Sequence, residues 1–340
     1  MAAGLLEALG VYTSKAFSLI ETGEQLHRHD EPSPTRSSVL VRLSHSHIRF
    51  GTFQRQAYAG DADAIGKLVE YCIRHYHPAA AGPDMAASAA GLLREVVAVT
   101  AELAASWMAA GFVHGVLNTD NMNVTGESFD YGPWRFLPTL EPEFTAAYFD
   151  HSRLYAYGRQ PEAVRWNLER LAEALALRVP AAQLARALVE FEACYLGELS
   201  ARLLDRLGVA AEEPVADALL AARALCFLHK SQLPFDRLFF DWYGGEIAAA
   251  RALAGPYAAT YRGAAFTAFR DALAGRPPAR PEVVAAPYFQ GAGPTTMHID
   301  EVERVFCAIA ERDDWTALTQ KIAEVRALGR LYEAAPPADP

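Results

Sequence analysis

A chain of 340 residues, 51% of them hydrophobic and 21% charged, has ample apolar material for a core and fits two subdomains better than one. Its formal net charge of −10 and pI near 5.5 argue against a nucleic-acid partner, which a basic face would attract. No apolar run is long enough to span a bilayer, and MAAGLLEALG lacks the basic flank and apolar centre of a secretory signal, so the chain reads as a cytoplasmic protein with no membrane partner.

The first fifty residues read as a short helix followed by strands. AFSLIE (16–21) is apolar and runs into Glu21-Thr22-Gly23, a turn signal, while SVLVRLS (38–44) alternates and is rich in β-branched side chains. Between them Asp30-Glu31-Pro32-Ser33-Pro34 reads as a loop. From about Asp61 onward the chain is predicted to be helical: Ile65, Leu68, Val69 and Cys72 recur at three- and four-residue steps, and the alanine-rich run 85–111 stops at Gly111. Helices resume over 161–177, where Pro161 suits the first helical position, and continue through 181–208, 216–230 and later segments. Pro277-Pro278 and Pro281 mark a linker, residues 299–333 read as two more helices, and AAPPADP reads as a frayed tail. Cys72, Cys194, Cys226 and Cys307 are scattered without a CxxC pair, which suits buried free thiols in a reducing compartment. The predicted class is α+β, mainly helical: residues 1–48 carry the sheet, 49–276 form a helical domain, and 277–340 are a C-terminal helical extension.

One stretch departs from this texture. HGVLNTDNMNVTGESFDYGPW, from His114 to Trp134, is dense in Asp, Asn, Thr and Gly and follows directly on the long alanine-rich helix. Asp120 and Asn121 are adjacent, and Asp130 lies ten residues after Asp120, between Phe129 and Tyr131-Gly132. A hard cation such as Mg²⁺ takes oxygen ligands, commonly one or two carboxylates completed by phosphate and water. A further carboxylate nearby can accept a proton from an attacking hydroxyl. Protein kinases divide the labour in this way: one loop aspartate as base, an asparagine on metal and the Asp-Phe-Gly aspartate on metal. Here Asp-Tyr-Gly fills the last place, although Asn121 follows Asp120 directly instead of several residues on. The same residue types also build ordinary turns, and Asn-Thr-Asp-Asn can be an Asx turn without chemistry.

A second constellation is VRLSHSHIRFG (41–51), in which Arg42 and Arg49 flank Ser44-His45-Ser46-His47. Two planar guanidinium groups suit nucleotide phosphates. The alternatives are Arg49 capping a helix with His47 as a buried, satisfied imidazole, or a metal on His45 and His47 that lacks a third ligand nearby.

Taken together, RLSHSHIRFGTF (42–53), HGVLNTDNM (114–122), FDYGPW (129–134) and RQPEAVRWNLERLAEAL (159–175) resemble the SelO family, also called YdiU, the pseudokinase-like protein nucleotidyltransferases; ALGVYTSKAFSLIETGE (8–24) and SPTRSSVLVRL (33–43) match the region before them. The resemblance is specific from about residue 5 to 180 and weakens into helices of similar length beyond. It implies a protein-kinase-like fold with a sheet-containing N-terminal lobe, here incomplete, and a large helical C-terminal lobe. It also implies ATP bound in a flipped orientation and transfer of AMP, in some members UMP, to Ser, Thr or Tyr hydroxyls of proteins. By motif match Asp120 takes the place of the catalytic base, Asn121 and Asp130 those of the Mg²⁺ or Mn²⁺ ligands, and Arg42 and Arg49 those of nucleotide-contacting arginines. Both arginines are expected to point toward the Asp120–Asp130 loop.

The family places a glycine- and arginine-rich loop, a lysine in a Leu-Lys-Gly context and an Asp-Gly pair upstream of the ALG segment, and the glutamate partner of that lysine would fall at Gly4. Lys15 and Lys67 stand in other contexts. The expectation is therefore that these 340 residues alone give no appreciable AMP transfer while a version extended upstream does. The alternative is a remnant of the C-terminal lobe that acts by binding without catalysis.

Overall fold

The structure, a computed structural model, describes residues 1–29 and 33–333. Helix α1 (Ala2–Ala8) buries Leu5 and Leu6, and the chain then enters an antiparallel ribbon of β1 (Lys15–Leu26) and β2 (Thr35–Leu43), with Lys15 opposite Leu43 and Leu26 opposite Thr35. The turn expected at Glu21-Thr22-Gly23 is instead a bulge inside β1. Gly23 takes φ +75°, the register shifts between Glu21 and Gln25, and pairing resumes beyond it. Of the loop predicted between the strands, Asp30, Glu31 and Pro32 lie outside the described residues. The alternation in β2 does not bury one face. Phe17, Ile20, Val39 and Leu40 are all more than half exposed, because two strands alone have no second layer to press against.

The helical part begins earlier than the sequence suggests. Helix α2 (Phe50–Tyr58) is short and carries Gly51 and Thr52 in its first turn, which hides its period; Phe50 and Phe53, one turn apart, are fully buried. Then come α3 (Ala62–His75) and α4 (Met85–Ala109), each opened by an aspartate whose carboxylate accepts a backbone N–H at 2.8 Å: Asp61 from Ala64 and Asp84 from Ala87. Two-residue strands β3 (Phe112–Val113) and β4 (Arg135–Phe136) pair antiparallel, followed by α5 (Gln160–Leu175), α6 (Ala181–Leu207) and α7 (Pro214–Ser231). Small side chains let α4 lie along α6, its main partner. A run of shorter helices, α8 (Phe235–Asp241), α9 (Ala249–Ala254), α10 (Ala264–Leu273) and α11 (Pro281–Val284), precedes α12 (Ile299–Arg312) and α13 (Thr316–Glu333). Residues 334–340, read as a frayed tail, lie outside the described residues.

The core has two main parts. One joins Leu6, Phe50, Val96, Trp107 and Leu168 and reaches Val325 and Leu328 of α13, which packs on α1. The other gathers Leu203, Phe227, Phe235, Trp242 and Phe269. Burying each such Leu or Phe contributes about 1.5–3 kcal/mol. The proline stretch read as a linker is held in place: Ala210 N donates to Pro277 O and Ala279 N to Gly208 O, both at 2.9 Å. Only Cys72 of the four free thiols is buried; Cys194 and Cys226 are half-buried and Cys307 is exposed. No described helix is long and apolar enough to cross a membrane.

Candidate active site

The polar stretch 114–134 is a loop closed at its neck by β3 and β4, with Phe112 opposite Phe136. Gly111 turns the chain out of α4 at φ +64°, and a Cβ there would lie 2.7 Å from the Phe235 ring, so only glycine fits. Contrary to what its composition suggests, much of the loop is buried. His114, Asn123, Glu127 and Ser128 are all at or below 2% exposure, and their polar atoms hold the loop's shape. His114 Nε2 donates to Phe129 O at 3.0 Å; burial pushes its pKa below the ordinary 6.5, so the imidazole is neutral. Ser128 Oγ accepts from Trp107 Nε1 at 2.9 Å and from Tyr131 Oη at 2.8 Å. Tyr131 Oη also meets Thr13 Oγ1, and burial raises the Tyr131 pKa to about 12. Backbone bonds Ser14 N to Ser128 O and Ser128 N to Tyr12 O fasten this edge to the segment before β1.

The arginines arrive from the other side. Residues 48–50 run antiparallel to 122–124: Val124 N donates to Ile48 O at 3.1 Å and Phe50 N to Met122 O at 2.9 Å, which sets Arg49 opposite Asn123. Arg49 does cap α2, its N–H donating to Thr52 Oγ1 at 3.2 Å, and its guanidinium lies 4.9 Å from the centre of the Phe129 ring. Arg42 Nη2 stands 3.9 Å from Asp130 Oδ1, both groups part-exposed. Asp130 itself holds φ +60°, a left-handed conformation that costs a non-glycine residue about 1–2 kcal/mol. The structure thus gathers Arg42, Arg49 and Asp130 at one edge of the loop. Beside Arg42 and Tyr131 opens a groove of about 400 Å³, lined in part by Leu40, Trp134 and Val305.

Asp120 and Asn121 occupy a single 3₁₀ turn. The Asx turn is present, with Asp120 N donating to Asn118 Oδ1 at 2.9 Å. The Asp120 carboxylate lies against the Cα of Gly51, where a Cβ would meet Oδ1 at 2.1 Å. That puts a negative charge at the first turn of α2, favourable for the helix dipole. Asn121 Nδ2 donates to Val116 O at 2.8 Å, which turns its Oδ1 the opposite way and leaves it free to act as a ligand. His47 is exposed, not a buried imidazole, and His45 is exposed as well; among the described residues no group of three His, Cys, Asp or Glu could hold a metal. Asn121 and Asp130 each offer oxygen donors of the kind a cation such as Mg²⁺ takes together with phosphate and water, and not the ligands of a protein-only cage such as structural zinc requires.

Two positions escaped the sequence reading. Gln160 accepts from His114 N at 2.9 Å and donates to Phe112 O at 2.8 Å. Asn167, two turns on, donates to Leu117 O at 2.8 Å. Both side chains are fully buried, and together they clamp the entry to the loop from α5. The signal available was two amides seven residues apart on the apolar face of a helix.

The model of the family described as protein adenylyltransferase SelO matches residues 1–326. A protein nucleotidyltransferase YdiU of Gloeobacter violaceus is 49% identical across 70% of this chain and 49% of its own length. One of Synechocystis is 38% identical across 96% of this chain and 71% of its own, and one of Trichormus variabilis is 46% identical across 71% and 49%. The chain thus spans about half the length of the first and third of these relatives. With a family model matched over nearly all its residues, the chain belongs to the SelO family.

Proposed function

We propose that the protein, with a kinase-like arrangement of lobes, transfers AMP from ATP to Ser, Thr or Tyr hydroxyls of other proteins. One observation carries this reading: Arg42 and Arg49 converge on the segment that bears Asp130, with the part-exposed Arg42–Asp130 pair at 3.9 Å. An exposed pair at that distance contributes about 0–1 kcal/mol to stability, so stability does not account for it. Two cations beside a carboxylate held in a strained backbone do suit a metal–polyphosphate complex.

In this reading Arg42 and Arg49 bind the phosphates, and the groove beside Arg42 gives room for the rest of the nucleotide. Asn121 and Asp130 would hold Mg²⁺ or Mn²⁺, which when bound neutralises phosphate charge. Asp120 accepts the proton of the acceptor hydroxyl as its oxygen bonds to the α-phosphorus; the bond from that phosphorus to the bridging oxygen breaks and pyrophosphate leaves. His114, Gln160 and Asn167 keep the loop backbone in place, so alignment is supplied before the substrate arrives. The test is incorporation of label from [α-³²P]ATP into the protein itself or a generic acceptor, on the 340 residues and on the longest product of the gene, with Asp130→Ala as the blank. Label in the longer form that disappears with Asp130→Ala is the expected result. Nucleotide binding without label in either form would overturn the reading and favour a binding protein without catalysis.

A further inference from the structure

Glu127 is 2% exposed, yet its carboxylate serves a single short turn. It accepts from Ser44 Oγ at 2.5 Å and from His45 N at 2.9 Å, and His45 Nδ1 lies 3.4 Å away. Among the described residues His45, whose ring is exposed, is its one ion-pair partner. A buried carboxylate without a lysine or arginine is a costly way to fill space, and an apolar side chain would pack at lower cost. Its place in the chain explains the choice. Ser44 and His45 lie between Arg42, at the end of β2, and Arg49, at the start of α2, while Glu127 precedes Asp130 by three residues. One carboxylate therefore couples the segment carrying both arginines to the segment carrying Asp130. The far side of the turn is tied separately, by Asn123 Nδ2 donating to Ser46 O at 2.6 Å. The charge of Glu127 is felt nearby: the Tyr12 pKa is raised by burial and then by this carboxylate, and Tyr12 Oη is 2.8 Å from His45 Nδ1.

We propose that Glu127 is a positioning residue whose buried carboxylate holds the Ser44–His45 turn so that Arg42 and Arg49 face a bound polyphosphate in register with Asp130. It touches neither nucleotide nor metal and acts through the arginines. Their presentation is fixed before binding, so less freedom is lost when the phosphates arrive. The inference rests on the nucleotide-binding reading above.

The experiment measures Mg·ATP affinity by calorimetry for the wild type, Glu127→Gln, Ser44→Ala, Arg42→Ala and the Glu127→Gln/Arg42→Ala double variant, alongside amide hydrogen exchange. Glutamine keeps the volume and can leave one oxygen accepting from both Ser44 Oγ and His45 N, which share a single carboxylate oxygen, but it removes the charge that strengthens those bonds. Ser44→Ala removes the Ser44 Oγ bond outright and tests the same coupling should Glu127→Gln fail to fold. Glu127→Gln and Ser44→Ala are each expected to weaken binding about tenfold, the size of one charge-assisted hydrogen bond, and to speed exchange at residues 44–49. The double variant should lose clearly less than the sum of the two single losses, because part of what Glu127 holds in place is already gone with the Arg42 guanidinium. A purely structural role would instead give additive losses, and that result overturns the proposal. Unchanged affinity in Glu127→Gln while Arg42→Ala weakens binding overturns this inference and leaves the nucleotide reading standing. Absence of Mg·ATP binding by the wild type in any length of the gene product overturns both.

Discussion

Gly51→Ala should separate stability from activity in this protein. Gly51 is the second residue of α2 and carries an ordinary helical backbone, so alanine is conformationally welcome there and can add up to about 1 kcal/mol of stability. Its new methyl, however, would stand 2.1 Å from Asp120 Oδ1 and 3.0 Å from Asp120 Cγ, where ordinary contact begins at 3.4 Å. The Asp120 Cα, at 3.7 Å, is already clear, so the backbone can stay and the side chain must rotate. The carboxylate oxygen then retreats by at least about 1.3 Å, the shortfall between those two distances. If Asp120 receives the hydroxyl proton, a displacement of that size costs about 100-fold in turnover, or about 2.7 kcal/mol of barrier. The assay compares thermal melting with kcat for AMP incorporation in whichever form of the protein shows transfer. A melting temperature equal to or above wild type, with kcat down about 100-fold and no further loss on adding Asp120→Ala, is the expected pattern. Full turnover in Gly51→Ala would refute the placement of Asp120 as the base.

Two further outcomes follow from buried charge. His114 is held neutral, with a folded pKa below 6.5, so below about pH 6.5 the unfolded chain takes up a proton that the folded chain cannot; its contribution is complete above that pH and falls by about 1.4 kcal/mol per unit on acidification until the lowered folded pKa is reached. Chemical denaturation near pH 7.5 and near pH 5.5 should show this slope in the wild type and a flatter one in His114→Asn. Asp236→Ala leaves Arg206, 8% exposed and 2.6 Å from its carboxylate, without its counter-charge and should cost about 3–5 kcal/mol by urea denaturation, whereas Arg206→Met/Asp236→Leu should recover most of it.

How legible each part was depends on how local its cause is. Helices α4, α5 and α6 announce themselves because their stops and starts are single residues: Gly111 after α4, Pro161 in the first turn of α5, and Gly208, at φ +64°, closing α6. Helix α2 did not, since nine residues with Gly51 and Thr52 near the start give too short a period, and its stability comes from Phe50 and Phe53 entering a core built by distant segments. Glu21-Thr22-Gly23 reads as a turn and proves to be a bulge, because both ask for a glycine with φ above zero and differ only in what pairs afterwards. Exposure of the β1–β2 ribbon was invisible for a similar reason: alternation says that a strand has two faces but not whether anything covers either one.

The polar loop shows the same division at finer scale. Composition marks 114–134 as exceptional but cannot separate the polar groups that build the loop from those left over for a ligand. Burial separates them. His114, Asn123, Glu127 and Ser128 are enclosed, and each binds another part of the protein: Phe129 O, Ser46 O, the Ser44–His45 turn and the Trp107 and Tyr131 side chains. Their partners lie up to 83 residues away in sequence, so no short-range pattern could assign them. Asp120, Asn121 and Asp130 are the acidic and amide side chains of the loop that remain at least partly open to solvent beyond the Asn118 turn. A buried polar group left unpaired costs about 1–3 kcal/mol, so the enclosed set is committed to structure. The open set carries no such obligation and can exchange water for phosphate or metal at little cost to the fold, which is why substitutions at Asp120 or Asp130 are expected to change chemistry before stability, and those at His114 or Glu127 to disturb the loop itself.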